Sequence, residues 1–365
     1  MKKGLVLAHF PSPYRVDVFK ELAKVYDLTI YFEICEDQNR NSEWFIKDDN
    51  LNFKLINKDN KGLFKNDIKN IDKYDFILAY DYHTVKSMWM QLNAIKKEVP
   101  YFINCDGAFI RPNAIKDKIK KFFFSRAALL FASGDNAKRY FTYFGANERK
   151  IYIHDFTSLH SEDILNKRIN DNEKFILKGK LGLGEKKMVL SIGQFIERKG
   201  FDVLLDSWKH MDENTQLVLI GGGELEANYR QFIKENSIKN IKILGFKNKK
   251  EIIEYYKAAD LFVLPTREDI WGLVINEAMA NGLPIITTNR CIAGLELVEN
   301  GVNGFIVNIN DSKELYYAMI EILNNDILAQ EISNNNISKI KGKTVENIGK
   351  SHIEVINNYF NIKLD

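Results

Sequence analysis

Short apolar runs alternate with stretches of helical period along nearly the whole chain. In the first half the runs are Leu5–Phe10, Leu28–Ile34, Phe76–Tyr80, Tyr101–Asn104, Leu129–Ala132 and Ile151–His154. In the second half they are Val189–Ile192, Leu217–Ile220, Ile241–Leu244, Leu261–Leu264, Ile285–Thr287 and Phe305–Val307. They read as buried strands, and helical patterns such as Arg15–Val25 and Thr84–Lys97 fill most gaps. Strand–helix alternation of this kind predicts βαβ units and parallel sheets. The fold class is therefore α/β, with two Rossmann-like doubly wound domains. Around Ser161–Glu185 the sequence turns polar and then gains Gly179, Gly182 and Gly184, which predicts the linker there. The expected domains are 1–165 and 166–343, with a closing helix over 344–365 packing back on the first. In doubly wound sheets ligands bind beyond the carboxyl ends of the strands. A cleft between the two sheets is thus the expected site.

Composition narrows the class. The 365 residues are 45% apolar and 28% charged, enough for two ordinary cores. No stretch approaches the ~20 uncharged apolar residues that span a bilayer. The basic start Met1-Lys2-Lys3 leads into an apolar run broken at His9, Pro11 and Pro13, so it reads as a first strand rather than a signal peptide. Cys35, Cys105 and Cys291 are widely spaced and form no CxxC pair, which argues against a disulfide scaffold and a zinc site. The expected compartment is cytoplasmic. A net charge of +3 argues against a nucleic-acid partner. Its distribution says more: Arg111 to Arg126 holds six basic residues against the single acid Asp117. With Phe122, Phe123 and Phe124, this segment has two readings. It is a helix on an anionic membrane face, making the protein peripheral there, or a surface helix with its phenylalanines in the core.

The richest stretch runs from Leu264 to Pro284, LPTREDIWGLVINEAMANGLP. A strand ends at Pro265, a loop carries acids, and a helix opens near Gly272 and stops at Gly282 with Pro284 beyond. Free N–H groups and the positive dipole end at such a helix start suit a diphosphate. Glu277, about a turn and a half inside, suits a ribose diol, and Asp269 suits sugar hydroxyls. The stretch resembles the acid-x7-acid motif of retaining family 4 glycosyltransferases (glycosyl transferases group 1, GT-B fold), here Asp269-x7-Glu277. In that family the second acid holds the nucleotide ribose and the first contacts the transferred sugar. The first acid is usually Glu; here it is Asp269 with Glu268 beside it. A second segment, Ser191 to Gly200, resembles the family's Gly-Arg-x4-Lys-Gly signature. Lys199 matches it, Gln194 stands at the usual Arg position, and Arg198 is the cation expected to supply the missing charge.

Further donor contacts implied by the resemblance are Gly193, Gly222 in the Gly221-Gly222-Gly223 turn, Gly245 and Phe246, and Trp271, Gly272, Leu273 and Val274 at the helix start. On the acceptor side the candidates are Ser12 and Arg15 after the first strand, and His83. Asp106, in Cys105-Asp106-Gly107, stands where family members often carry a His; it orients a hydroxyl or caps a turn. Catalytic roles fall to Asp269, Asp106, Lys199 and Arg198. No Asp-x-Asp pair occurs in the chain, so transfer without metal or other cofactor is expected. The resemblance implies retaining transfer of a hexose-type sugar from a nucleoside-diphosphate sugar, UDP-linked, to a saccharide or lipid-linked acceptor in surface polysaccharide synthesis. A non-catalytic GT-B partner subunit is the alternative, favoured by the departures at Gln194 and Asp269.

Overall fold

The computed structural model describes residues 1–34, 51–57 and 60–362. Cys35 lies outside them. The chain forms two compact units: Met1–Ser158 joined by Lys343–Asp365, and Leu159–Gly342. The division thus falls a little before residue 165.

The first unit contains β1 (Lys3–Ala8), α1 (Pro13–Ala23), β2 (Asp27–Phe32), β3 (Phe53–Leu55), α2 (Lys61–Lys69), β4 (Phe76–Ala79) and α3 (Val85–Lys96). It continues with β5 (Tyr101–Cys105), α4 (Ala114–Phe124), β6 (Leu129–Ser133), α5 (Gly134–Tyr143) and β7 (Ile151–His154). Its sheet runs β3-β2-β1-β4-β5-β6-β7, all parallel. Strands β4, β5 and β6 are buried along their whole length, because helices cover both faces of a parallel sheet. The order reverses between β1 and β4.

The second unit opens with α6 (Asp171–Lys180), β8 (Lys187–Ile192), α7 (Phe201–Trp208), β9 (Thr215–Ile220), α8 (Glu226–Glu235) and β10 (Ile241–Leu244). There follow α9 (Lys249–Ala258), β11 (Leu261–Leu264), α10 (Leu273–Ala280), β12 (Ile285–Thr288), α11 (Ile292–Leu297), β13 (Gly304–Val307), α12 (Ser312–Leu323) and α13 (Asp326–Ile340). The sheet order is β10-β9-β8-β11-β12-β13, again all parallel, with its reversal between β8 and β11.

Two elements differ from the sequence reading. Strand β3 is a three-residue edge strand whose Phe53-Lys54-Leu55 offers too short an apolar run to be seen. Helix α6 occupies the stretch expected as linker. Its Lys174 and Lys178 look like solvated charges but are buried, with both ammonium groups donating to Asp260, at 2.9 and 2.8 Å. Asp260 Oδ2 also accepts from the Met188 amide. Burial alone would push this carboxyl up; the two ammonium groups instead hold it down at about 2. Truncating Asp260 would strand two buried cations, at a cost of roughly 3–5 kcal/mol.

The closing helix α14 (Val345–Ile362) belongs to the first unit. Val345, Ile348 and Ile356 join the cluster of Phe76, Phe102 and Phe131 on one sheet face. Gly349 lets it approach α1 closely, since a Cβ there would stand 2.3 Å from Glu21 Cβ. His352 stacks on Phe131 with centroids 4.1 Å apart, and His154 meets it edge-on at 4.7 Å. Each imidazole bonds a backbone carbonyl through Nδ1, at Ile348 and Asp155, and each Nε2 is buried without a partner.

Neither ring can take a second proton cheaply. Burial, and then the neighbouring His154, pull His352 well below its ordinary value, and burial lowers His154. The charged pair beside them, Lys343 and Asp155, is already matched at 2.5 Å. With depressed folded values, the stability these groups contribute is complete above about pH 6.5 and is lost as pH falls toward their folded values. The unfolding free energy is expected to drop by up to ~1.4 kcal/mol per pH unit for each proton gained on unfolding. His352→Phe, which keeps a ring on Phe131, is expected to flatten that slope in urea titrations below neutral pH. An unchanged slope would refute the assignment.

Candidate functional site

In the second unit the loops that follow β8, β9, β10 and β11 leave the carboxyl edge of one sheet. The loop after β8 runs from Gly193 to Gly200, and that after β11 from Pro265 to Gly272. Gly200 is the pivot between them: its φ is +66°, and a Cβ there would fall 2.2 Å from the Pro265 carbonyl oxygen. This close approach brings Lys199 and Asp269 together. The Lys199 ammonium donates to Asp269 Oδ2 at 2.5 Å, and both side chains are largely buried. Arg198, more open, donates to the Glu268 carbonyl at 2.7 Å and stands 3.8 Å from Asp269 Oδ1. One carboxylate therefore sits between two cations. Charge-assisted contacts in partly desolvated ground are stronger than surface ion pairs.

The loop is fixed from behind. The Asp269 amide donates to the Arg290 carbonyl at 2.8 Å, and the Ile292 amide donates back to the Asp269 carbonyl at 3.1 Å. Arg290 Nη2 also donates to Glu268 Oε2 at 2.7 Å, which commits that neighbouring acid to the loop. Cys291 lies underneath; burial and then the charge of Asp269 push its thiol up to about 12, so it stays neutral.

Gly272 caps α10 in a left-handed conformation, φ +100°, and a Cβ there would lie 3.0 Å from Cys291 Sγ and 3.7 Å from Asp269 Oδ2. No side chain caps the start of α10, at Leu273 and Val274, as an anion site at a helix N-terminus requires. Trp271 contributes differently: its indole is buried and donates to Asn276 Oδ1 at 2.9 Å, tying the loop to the helix rather than facing a ligand. Glu277 is half-buried and accepts from the Tyr256 hydroxyl at 3.0 Å. Burial, and then the Glu277 charge, push the Tyr256 phenol well above its ordinary range, so it remains a donor.

On the other side of β8, Gly221 packs against Gly193, whose amide donates to the Ile220 carbonyl at 3.0 Å. Gln194, half-buried, occupies the next position along that loop. The exposed ring of Phe246 lies over Gly222, where a Cβ would meet it at 2.9 Å. Gly245 has open space around it.

The first unit has its own cluster at the β1/β4 reversal. Arg15 is almost fully buried and donates to Asp81 Oδ2 at 3.2 Å and to Asp106 Oδ2 at 2.7 Å. The His9 amide donates to Asp81 Oδ2, and Asn104 Nδ2 donates to Asp106 Oδ1. Ser12 is buried at the start of α1, whereas His83 is exposed on the loop before α3 and touches the Tyr82 ring edge-on. Arg15 and Asp106 thus meet; His83 stays apart from them. Asp81 was missed from the sequence. Its signal was its place just past the strand ending at Tyr80, beside the reversal of strand order.

Residues 173–339, nearly the whole second unit, match the family model described as glycosyl transferases group 1. Over these residues the chain is similar to the group 1 glycosyltransferases. Over 217 residues it is 30% identical to an uncharacterized glycosyltransferase of Methanocaldococcus jannaschii, covering 57% of this chain and 59% of that protein. The capsular polysaccharide biosynthesis glycosyltransferase CapM of Staphylococcus aureus is 24% identical over 354 residues, 87% of this chain and 92% of the relative. The chain spans about half the length of several curated relatives it matches. Among solved structures, Anabaena HepE in complex with UDP and glucose is similar with a TM-score of 0.78 at 18% identity, over 98% of this chain and all of that one. That likeness establishes the fold, the GT-B kind with two Rossmann-like units. The matched residues 173–339 include the loops after β8, β9, β10 and β11 just described.

Gly221 tests how tightly those loops are set. Its φ is +150°, and a Cβ would stand 1.9 Å from the Gly193 carbonyl oxygen. Gly221→Ala is expected to cost about 2–4 kcal/mol in chemical denaturation. Gly245→Ala, with nothing within 4 Å of the added carbon, is expected to stay within about 0.5 kcal/mol of the parent. Equal effects at the two positions would contradict the packing.

Proposed function

We propose that the protein is a retaining glycosyltransferase that moves a hexose from a UDP-sugar to a saccharide or lipid-linked acceptor in surface polysaccharide synthesis. The observation that carries the reading is the Lys199–Asp269 couple beside the glycine-capped start of α10, with Glu277 a turn and a half further on. The same ligand chemistry is named for Anabaena HepE, described with UDP and glucose and with UDP-glucose, and CapM is named for capsular polysaccharide biosynthesis. Both support the donor class and the process without fixing sugar or linkage.

In this reading the diphosphate lies against the first amides of α10, with Lys199 and Arg198 balancing the charge that develops as the sugar–phosphate bond breaks. Glu277 accepts from the ribose hydroxyls while Tyr256 holds its other side. Asp269 accepts from hydroxyls of the transferred sugar. The acceptor hydroxyl attacks the anomeric carbon on the face the phosphate leaves, and a phosphate oxygen takes its proton. No protein nucleophile and no metal ion are needed, since the chain's own cations and amides meet the leaving group. Asp106, held by Arg15 and Asn104, orients a substrate hydroxyl in the first unit. Gln194, neutral at the family's Arg position, favours the alternative of a non-catalytic partner subunit; Arg198, 3.8 Å from Asp269, weighs against it.

Thermal melting with UDP, GDP and ADP, with and without EDTA, tests the reading. UDP is expected to raise the melting temperature, EDTA to leave the shift unchanged, and Glu277→Ala to abolish it. Lys199→Ala is expected to lower sugar transfer or slow donor hydrolysis by roughly 10²–10³-fold. No shift with any nucleotide would leave the partner-subunit reading standing.

A further inference from the structure

Helix α4 buries only one side. Phe123 and Phe124 turn into the core of the first unit. Ile115, Ile119 and Phe122 stand 74%, 40% and 38% exposed, at the i, i+4, i+7 spacing of a single helical face. Ile110, just before the helix, adds a fourth at 42%. Single exposed apolar side chains are ordinary, but four along one short segment make a patch.

The border of this patch is basic. Lys116, Lys118 and Lys121 are exposed along it. At its C-terminal end the Arg126 guanidinium lies 4.1 Å from the Phe122 ring centroid. The one acid in the segment, Asp117, accepts from the Asn113 amide at 2.8 Å, closing the first turn of the helix. An apolar stripe edged by cations meets both of its needs at an anionic bilayer. The isoleucines and Phe122 enter the boundary between headgroups and acyl chains, while lysine stems run along the stripe and keep their ammonium groups among lipid phosphates.

We propose that α4 is a docking helix that lays the first unit on an anionic lipid surface. This holds whether or not the transferase reading does, and it would bring the protein to acceptors carried on lipid. Each basic residue near the surface multiplies partitioning by on the order of fivefold, and salt weakens that term. The apolar stripe supplies a contribution that salt does not screen.

The test is flotation of the full-length protein with vesicles of phosphatidylcholine alone and with added phosphatidylglycerol. Binding is expected only with the anionic vesicles, reduced but not abolished by high salt. Ile115→Glu with Ile119→Glu is expected to cut the bound fraction about tenfold or more, with the thermal melt unchanged because both positions are exposed. Should that pair disturb folding, Ile115→Trp provides a second readout, a blue-shifted emission on adding anionic vesicles. No flotation with anionic vesicles would overturn the proposal. So would binding that the lysine changes Lys116→Glu and Lys118→Glu remove but the isoleucine changes do not, which means adsorption by charge alone. A dimer in light scattering that the isoleucine changes dissolve, without flotation, would assign the patch to self-association instead.

Discussion

Every strand in each sheet runs in the same direction, and that constraint governs where chemistry can reside. A parallel strand must be followed by a crossover, so all loops leaving strand ends collect at one edge while the returning loops collect at the other. Apolar side chains fill most of both faces of the sheets, and the buried polar groups among the described residues, such as Lys174 and Lys178 on Asp260, are mostly paired. The charged groups of the two clusters thus lie on the loops and first helical turns that follow the strand ends. Lys199 and Asp269 are far apart in sequence and adjacent in space because β8 and β11 are neighbours across the reversal of strand order. Arg15, Asp81 and Asp106 meet in the first unit for the same reason, from the ends of β1, β4 and β5.

Glycines convert that rough convergence into contact. Gly200, Gly221 and Gly272 all have positive φ, and each removes a side chain where backbone or sulfur would otherwise be struck. Around them the second unit keeps its charged groups matched: Glu268 with Arg290, Asp269 with Lys199, Glu277 with the Tyr256 hydroxyl. Matching holds side-chain positions in place without a bound partner, which is what preorganisation means at the level of single atoms.

Much of this could be read from the chain because parallel strands leave uninterrupted apolar runs. The twelve runs read from the sequence all fall on observed strands, whereas Phe53-Lys54-Leu55, at a sheet edge, left no such run. Lys174 and Lys178 misled in the opposite sense, since residue type alone gives no warning that a lysine is buried against an aspartate. The motif around Asp269 and Glu277 was visible because loop, glycine cap and helix stop occur together in sequence. Trp271 illustrates the limit: it belongs to that motif, yet its ring turned out to be an internal brace. Asp81 depends on a contact with a residue 66 positions away, and only its place just past a strand end marks it. The run of three phenylalanines at 122–124 split between core and solvent, which only the helix orientation could decide.

The Lys199–Asp269 couple also changes what binding means for the proposed donor. An empty site with a bare ammonium would attract any small anion. Here an incoming anion has to compete with a carboxylate already in position at 2.5 Å. Inorganic phosphate could take Lys199 only by leaving the largely buried Asp269 to Arg198 alone, 3.8 Å away. A molecule bearing a diphosphate and a hydroxylated ring satisfies both members of the couple at once. Under the proposed function the chain's own ion pair would act as an occupancy filter, discriminating by the simultaneous presence of two chemical groups rather than by the strength of either.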